Sequence, residues 1–509
     1  VTPGGALWGE HEEESGNPGF FSEIRKQRLA VIVLVIASLI PLSAAVRFDA
    51  RFPSDDALIS LTYAKNLARG DGFVFNQPPP VLATTTPAFT MVVAAVTAIS
   101  GIEPTLVALW FSALCWLAVI WSFFVFREAF GLDPGQAAMI GWMVAAQGWV
   151  EHLSMEAYPF ALILVVAAAM VWSRRSFIAG LAIGVLFLTR GEGILFGAIL
   201  GVVVLVDEIR HRTNSGRSPT MMYVLGAALP VLAWSAYALP TFGSILPATL
   251  GAKMAQVASG LWAPFPVRLF GEWLPGWGLG PWGFFSTVLG FVLVGVGLII
   301  IGARQQRMVI FPIWLIGYAA GYSLLGVPGY HWYRLPIFFV LALCAGLGLE
   351  AALRWGIGPT PGTRTRSAAT WTLGVILMVA AGWQTLGAIE EPPTDQRGPK
   401  YLKVAQWLNT HASAGQSVAF FEVGTLGYYT NLRIIDQVGL VTPSMVPHVL
   451  DQDFATGFWE ESPDYLIGLE GSEFTRMIVD NPIFPAAYSK AKTFDGPDHR
   501  RLTVYRSRP

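Results

Sequence analysis

The chain has 509 residues, 53% of them hydrophobic and 13% charged, with a mean hydropathy of +0.51. That is about half the charge of an ordinary soluble protein, which excludes a soluble globular enzyme and predicts a polytopic membrane protein. The 33 basic and 34 acidic residues leave no basic excess for a nucleic acid, and Cys115 and Cys344 each sit inside an apolar run, so neither a disulfide framework nor a cysteine metal site is available.

Residues 1–22, with Glu10, Glu12, Glu13 and Glu14 among glycines, read as a polar tail without the apolar stretch of a signal peptide. Residues 1–28 are expected to form a cytoplasmic N-terminus ending in Arg25, Lys26 and Arg28. About 20 apolar residues are needed to cross a hydrocarbon core. Runs of that kind, several of them short, lie near 29–46, 86–100, 105–126, 136–152, 157–172, 176–188, 193–206, 221–239, 282–302, 308–326, 335–354 and 368–388. They predict an α-helical membrane domain over 29–388 with about 11–12 helices. Arg174 and Arg175, Arg210 to Arg217, Arg304 and Arg307, and Arg354 to Arg366 mark alternate connections as cytoplasmic.

The loops 47–85, 190–192, 240–281 and 331–334, and everything past 389, are then expected outside. Glu156 is on that side only if one of the three runs before it fails to cross, and the basic pair that follows after a single helix favours this. Residues 359–366 read as a short hinge. Past 389 the pattern turns mixed, with an amphipathic helix over 401–409 and strands near 418–421, 434–436, 465–467 and 502–505. This predicts a small extracytoplasmic α/β domain over 389–509, large enough to hold its own core.

In the first outer loop, Asp55 and Asp56 precede an amphipathic stretch from Ala57 to Arg69. Adjacent carboxylates repel, which raises the proton affinity of one of them and suits a general base for a sugar hydroxyl. An N-cap role for Asp55 with Asp56 in the first helical turn explains the pair equally well. Arg190 and Glu192 stand at a membrane helix end, where ionisable groups are costly and are paired or functional. Arg190 could hold a phosphate in bidentate fashion with Glu192 orienting it, or the two could simply satisfy each other. Lys253 falls in a loop with Phe242, Trp262, Phe265, Trp273 and Trp277, and His331 and Arg334 fall in Gly-Tyr-His-Trp-Tyr-Arg-Leu-Pro. Cations among interfacial aromatics suit a lipid-phosphate headgroup, although aromatics belt any membrane protein. Glu156 reads as a first-turn acid or as a companion of Asp55 and Asp56. No cofactor is demanded, though those three acids could hold Mg or Mn with water completing the shell. Neither HExxH nor GxxxxGK[ST] occurs.

The run Ser54-Asp-Asp-Ala-Leu-Ile-Ser, then Tyr63-Ala-Lys-Asn-Leu, Gly70-Asp-Gly-Phe-Val-Phe-Asn76 and Thr84-Thr-Thr-Pro87 resembles the first-loop signature of GT-C glycosyltransferases that use polyprenyl-phosphate sugars. It is most similar to the branch containing mycobacterial arabinofuranosyltransferases. Ser154-Met-Glu156, Leu188-Thr-Arg-Gly-Glu-Gly193, Gly243-Ser-Ile-Leu-Pro247 with Lys253, and Gly424-Thr-Leu-Gly-Tyr-Tyr429 with Asp436-Gln-Val-Gly-Leu440 follow in order along nearly the whole chain. Gly191 stands where the family has proline, which implies a looser turn at Arg190.

The resemblance implies a GT-C-like bundle in the cell membrane that takes a sugar, with arabinofuranose leading, from a polyprenyl-phosphate donor to a glycan or protein hydroxyl at the outer face, with inversion. It implies Asp55 or Asp56 as base or acceptor-site residue; Asp55 is preferred as base, because the helix that follows is the likelier to hold Asp56. Arg190, Lys253, His331 and Arg334 are expected around the donor phosphate from their charge and setting, and Glu156, Glu192 and Tyr63 in support. A transporter of lipid-linked substrate would show polar relays and inverted repeats, and neither is visible. A non-catalytic assembly subunit, its loop acids serving as caps, is the other alternative.

Overall fold

The computed structural model describes residues 18–48, 53–76, 79–147, 150–211, 218–278, 284–357, 364–390, 397–413, 415–495 and 500–509. Glu10 to Glu14 of the expected polar tail lie outside these, as does most of the 359–366 hinge; from Pro18 the chain is already helical, running to Arg47. Among the described residues, six helices are long and apolar enough to cross a membrane: Gln27–Arg47, Pro104–Val125, Pro219–Phe242, Phe284–Ala303, Gln306–Leu325 and His331–Trp355.

Several of the other expected runs form shorter helices. Pro87–Ser100, Ala157–Trp172 and Ser176–Thr189 are apolar but have 14, 16 and 14 residues, and at 1.5 Å per residue they reach only about 21–24 Å. The run expected at 136–152 divides into a helix, Pro134–Ala146, and a single 3-10 turn, Val150–His152. Gly193–Arg210 is long enough, but Asp207, Glu208 and Arg210 crowd its last turn.

Small residues let these helices approach closely, as in other membrane bundles. A Cβ on Gly180 would lie 2.0 Å from the carbonyl oxygen of Tyr223, and one on Gly226 would lie 2.2 Å from that of Phe177. Ser176–Thr189 and Pro219–Phe242 therefore pack backbone against backbone. The stretch 240–281, expected as a loop, folds into a helix, Thr249–Ala258, and a helical segment from Phe265 that contains a π-turn, Leu269–Trp273.

The amphipathic helix Asp55–Arg69 is capped by Ser54, whose hydroxyl accepts from the Ala57 amide at 3.3 Å. The cap expected of Asp55 thus belongs to the residue before it. Beyond Arg397 a five-stranded sheet forms from β1 Ser417–Phe420, β2 Arg433–Asp436, β3 Tyr465–Leu469, β4 Tyr488–Asp495 and β5 Arg501–Ser507, in the order β2-β1-β3-β5-β4. β1 runs parallel to β2 and β3, while β5 pairs antiparallel with β3 and β4. The strand missing from the sequence reading, β4, is mostly exposed and carries Lys490 and Lys492, the charged signature of a guarded edge. One apolar cluster joins Tyr63, Phe73, Phe75 and Leu82 of the first loop to Val404, Phe420, Leu426 and Ile434 of this domain. The sheet domain is therefore packed onto the loop that carries the two aspartates.

Candidate functional site

Asp55 and Asp56 are successive residues at the start of a helix, so their side chains point about 100° apart. Asp55 is 5% exposed and spends both oxygens on the N-terminus of the short helix Gly424–Tyr429. Its Oδ2 accepts from the Gly424 amide at 2.8 Å, and its Oδ1 accepts from the Thr425 amide and hydroxyl, both at 2.7 Å. Burial pushes its acidity down, against those bonds and Arg397, which favour the anion. This position is at odds with Asp55 as the preferred base: the carboxylate is buried, and both of its oxygens are engaged by Gly424 and Thr425.

Asp56 is half-buried and faces a small cavity of about 60 Å³. Ser60, Thr84, Thr86, Ser154, Glu156 and Lys253 also line it. Ser60 bonds the Thr84 hydroxyl at 2.9 Å and that of Thr86 at 3.2 Å. Tyr63 is buried beneath this wall: its hydroxyl donates to the Val81 carbonyl and accepts from the Ala83 amide at 2.9 Å, setting the strand of chain that presents Thr84. The sequence reading did not single out Ser154 as a site residue. It is fully buried, holds φ at 72°, and its hydroxyl has no hydrogen-bond partner among the described residues. A non-glycine residue at positive φ stores strain of the kind found at functional sites; its signal in the sequence is the Ser154-Met-Glu156 motif.

Next to this cavity lies a larger one of about 460 Å³, and Thr85, Glu156, Thr249, Lys253 and Trp332 line both. Its walls are mainly apolar, and Ile194, Leu246, Leu250 and Leu325, which line it, are also exposed on the outer surface of the bundle. The cavity therefore opens through apolar residues. At its polar end Arg190 is clamped twice, by Glu156 at 3.0 Å and by Glu192 at 2.5 Å. These carboxylates, rather than a proline at 191, fix its direction, and they take up much of its charge. Lys253 bonds the Tyr333 hydroxyl at 3.1 Å and lies 5.6 to 5.9 Å from the rings of Tyr330, Trp332 and Tyr333. Among the described residues it pairs with no carboxylate, so of the two cations its charge is the less neutralised.

His331 and Arg334, expected beside Arg190, line a different cavity of about 540 Å³. Arg334 is paired with Glu151, and His331 stacks on the buried His152 with ring centroids 5.7 Å apart. The cause is the 3-10 turn His331–Tyr333, whose three-residue period puts His331 and Arg334 on one side and leaves Trp332 and Tyr333 on the other. Among the described residues no group of three or more His, Cys, Asp or Glu side chains is gathered to hold a metal ion. Asp55, Asp56 and Glu156 do not form such a set: Asp55 is held by Gly424 and Thr425, and Glu156 by Arg190.

Asp436 closes the site from the sheet domain. Fully buried, it accepts from the amides of Val438 at 2.9 Å, Leu440 and Val441 at 3.1 Å. The turn it builds sets Leu440 into the wall of the Asp56 cavity. Burial, with the nearby Asp55 charge adding to it, pushes its pKa up to about 6.

These features define a helical, multi-pass membrane protein with a C-terminal mixed α/β domain that contributes Leu440 to the Asp56 cavity, beside a larger cavity with mainly apolar walls. The fold is ArnT-like: the structure of ArnT from Cupriavidus metallidurans bound to undecaprenyl phosphate matches with a TM-score of 0.55 at 15% sequence identity, over 93% of this chain and 97% of that one. Residues 389–505 match a family described as a domain of unknown function, DUF8728. No curated protein matches the sequence.

Proposed function

We propose that the chain is a GT-C-type glycosyltransferase that moves a sugar from a polyprenyl-phosphate donor to an acceptor hydroxyl at the outer face of the cell membrane. One observation carries this reading: Lys253 and Glu156 stand where a lipid-open cavity meets the hydroxyl-lined cavity of Asp56. A donor lying with its prenyl chain among Ile194, Leu250 and Leu325 has its phosphate beside Lys253 and its sugar toward Asp56. The similarity to a structure that contains undecaprenyl phosphate supports this class of donor.

In the reaction Asp56 takes the proton of the acceptor hydroxyl. The acceptor oxygen bonds the anomeric carbon from one face while the bond from that carbon to the phosphate oxygen breaks on the other, so the configuration inverts. The bonding electrons leave with the lipid phosphate. Lys253, which lines the same cavity as the carboxylate-paired Arg190, meets that growing charge with fixed positive charge. Ser154 and the Thr84 and Thr86 hydroxyls orient the acceptor. Asp55 acts one step back, by holding the helix that aims Asp56. No step is routed through a metal ion. Arabinofuranose remains the leading donor sugar, on the motif resemblance alone.

The test uses purified protein in lipid nanodiscs. Binding of undecaprenyl phosphate is followed by native mass spectrometry, and transfer from a radiolabelled prenyl-phosphate pentofuranose by product capture. Lys253→Ala should weaken binding of the lipid phosphate, and Asp56→Asn should leave it intact while stopping transfer. Full transfer by a folded Asp56→Asn variant would sink the assignment.

A further inference from the structure

The cavity that takes His331 and Arg334 is separate from the donor cavity, and its wall has a different character. Residues 327–334 divide the two. This partition is strapped to the neighbouring segment by the amides of Phe265 and Gly329, which donate to the carbonyls of Val327 at 2.9 Å and Ala263 at 3.1 Å. Gly329 is needed there, because a Cβ would lie 2.3 Å from Cγ of Arg268, which crosses it to reach the cavity.

Each cation on this wall is already matched by a carboxylate. Arg268 bonds both oxygens of Glu272 at 2.6 Å, and Arg334 is paired with Glu151. A wall so neutralised has little attraction for an anion. Planar ion pairs of this kind still offer adjacent donors and acceptors, and Trp273, Trp277 and Tyr330 add aromatic surface beside them. Two donors, the indole N–H of Trp277 and Nε of Arg334, are buried without a hydrogen-bond partner among the described residues. Neutral ion pairs suited to vicinal hydroxyls and aromatic rings suited to C–H faces are the recognition chemistry of a saccharide. Arg268 and Glu272 approach through a π-turn, a distortion common at functional sites.

The position also fits. Tyr330 lines this cavity, stacks on Trp332 with centroids 4.5 Å apart, and feels the charge of Asp56. Trp332 in turn lines the cavity of Asp56. This aromatic pair forms part of the wall that this cavity shares with the cavity of Asp56.

We infer that the cavity between Arg268, Glu272, Trp277 and Arg334 is a binding subsite for a neutral saccharide, the glycan part of the acceptor. The acceptor role rests on the transferase reading; the binding does not. Saturation-transfer NMR on the protein in nanodiscs, with methyl glycosides of pentofuranoses and hexopyranoses and their linear trisaccharides as probes, tests it. At least one probe should receive magnetisation, and the exposed pair variants Arg268→Ala and Glu272→Gln should reduce the transfer several-fold, with Lys253→Ala leaving it unchanged. Native mass spectrometry of the same samples with undecaprenyl phosphate should show the opposite dependence. If Lys253→Ala leaves the lipid phosphate bound while the saccharide result holds, the donor reading fails and the subsite stands. The inference is overturned if no probe shows transfer, or if transfer survives both pair variants. It is also overturned if those variants instead release a co-purified phospholipid, whose tail the exposed Val267 and Phe270 could receive.

Discussion

Two neighbouring aspartates of identical chemistry are separated by direction alone. Asp55 turns into the sheet domain and Asp56 into the cavity, so their removal should have different readouts. Asp56→Asn should lower turnover by about 10²–10⁴-fold, the range for a positioned base, at unchanged melting temperature. Asp55→Asn leaves a buried donor or two without its acceptor and should cost about 1–3 kcal/mol of stability, seen as a lower melting temperature before any kinetic effect. Ser154→Ala keeps the strained backbone and removes an unpartnered hydroxyl; kcat should fall about tenfold, the worth of one hydrogen bond of ordinary strength, with the melting temperature held. Arg190 is a poorer probe of chemistry, because Arg190→Ala would strand Glu156 and Glu192 at a cost of about 3–5 kcal/mol.

At the scale of elements, the decisive contact joins the helix Asp55–Arg69 to the helix Gly424–Tyr429. The backbones meet so closely that a Cβ on Gly424 would lie 1.7 Å from the Asp55 carbonyl oxygen. Gly424→Ala should therefore push the two helices apart and destabilise their docking by more than about 2 kcal/mol, as overpacking does. Limited proteolysis should then release the sheet domain faster than in the wild-type protein. Secondary structure here was largely legible in advance: apolar runs and alternation located most helices and four of the five strands. The runs over 87–100, 157–172 and 176–189 were legible as apolar helices but not by length as spans, since only the bundle decides whether a short helix crosses or leans on its neighbours. β4 escaped because an exposed edge strand carries no buried alternation to read.

At the scale of the whole molecule, the sheet domain and the first loop share one core and close the site together, and Asp436 sits at that junction. Burial holds its pKa at about 6 in the folded protein, above the ordinary carboxylate value of 3.8. The folded state therefore holds the proton more tightly than the unfolded chain, and stability falls as pH rises from about 4 through about 6. The loss is then complete, and of order 3 kcal/mol. Melting temperatures across that window should decline with rising pH, and Asp436→Asn should flatten the slope. A wild-type profile that rises through the window would contradict the buried, raised carboxyl.

Composition and hydropathy alone determined that the chain belongs in a membrane, and the change of pattern near residue 389 determined that a mixed α/β domain follows, because periodicity and solvent preference are local properties. Of the residues the motifs singled out, Asp56, Glu156, Arg190, Glu192 and Lys253 line the two adjoining cavities. Which aspartate faces the cavity, which cations share a cavity, and that Arg190 is paired with two carboxylates were decided only by the tertiary structure. Each of those depends on the direction of a side chain against a partner far away in sequence, Asp55 against Gly424 and Thr425, or Arg334 against Glu151, and no local pattern records that direction.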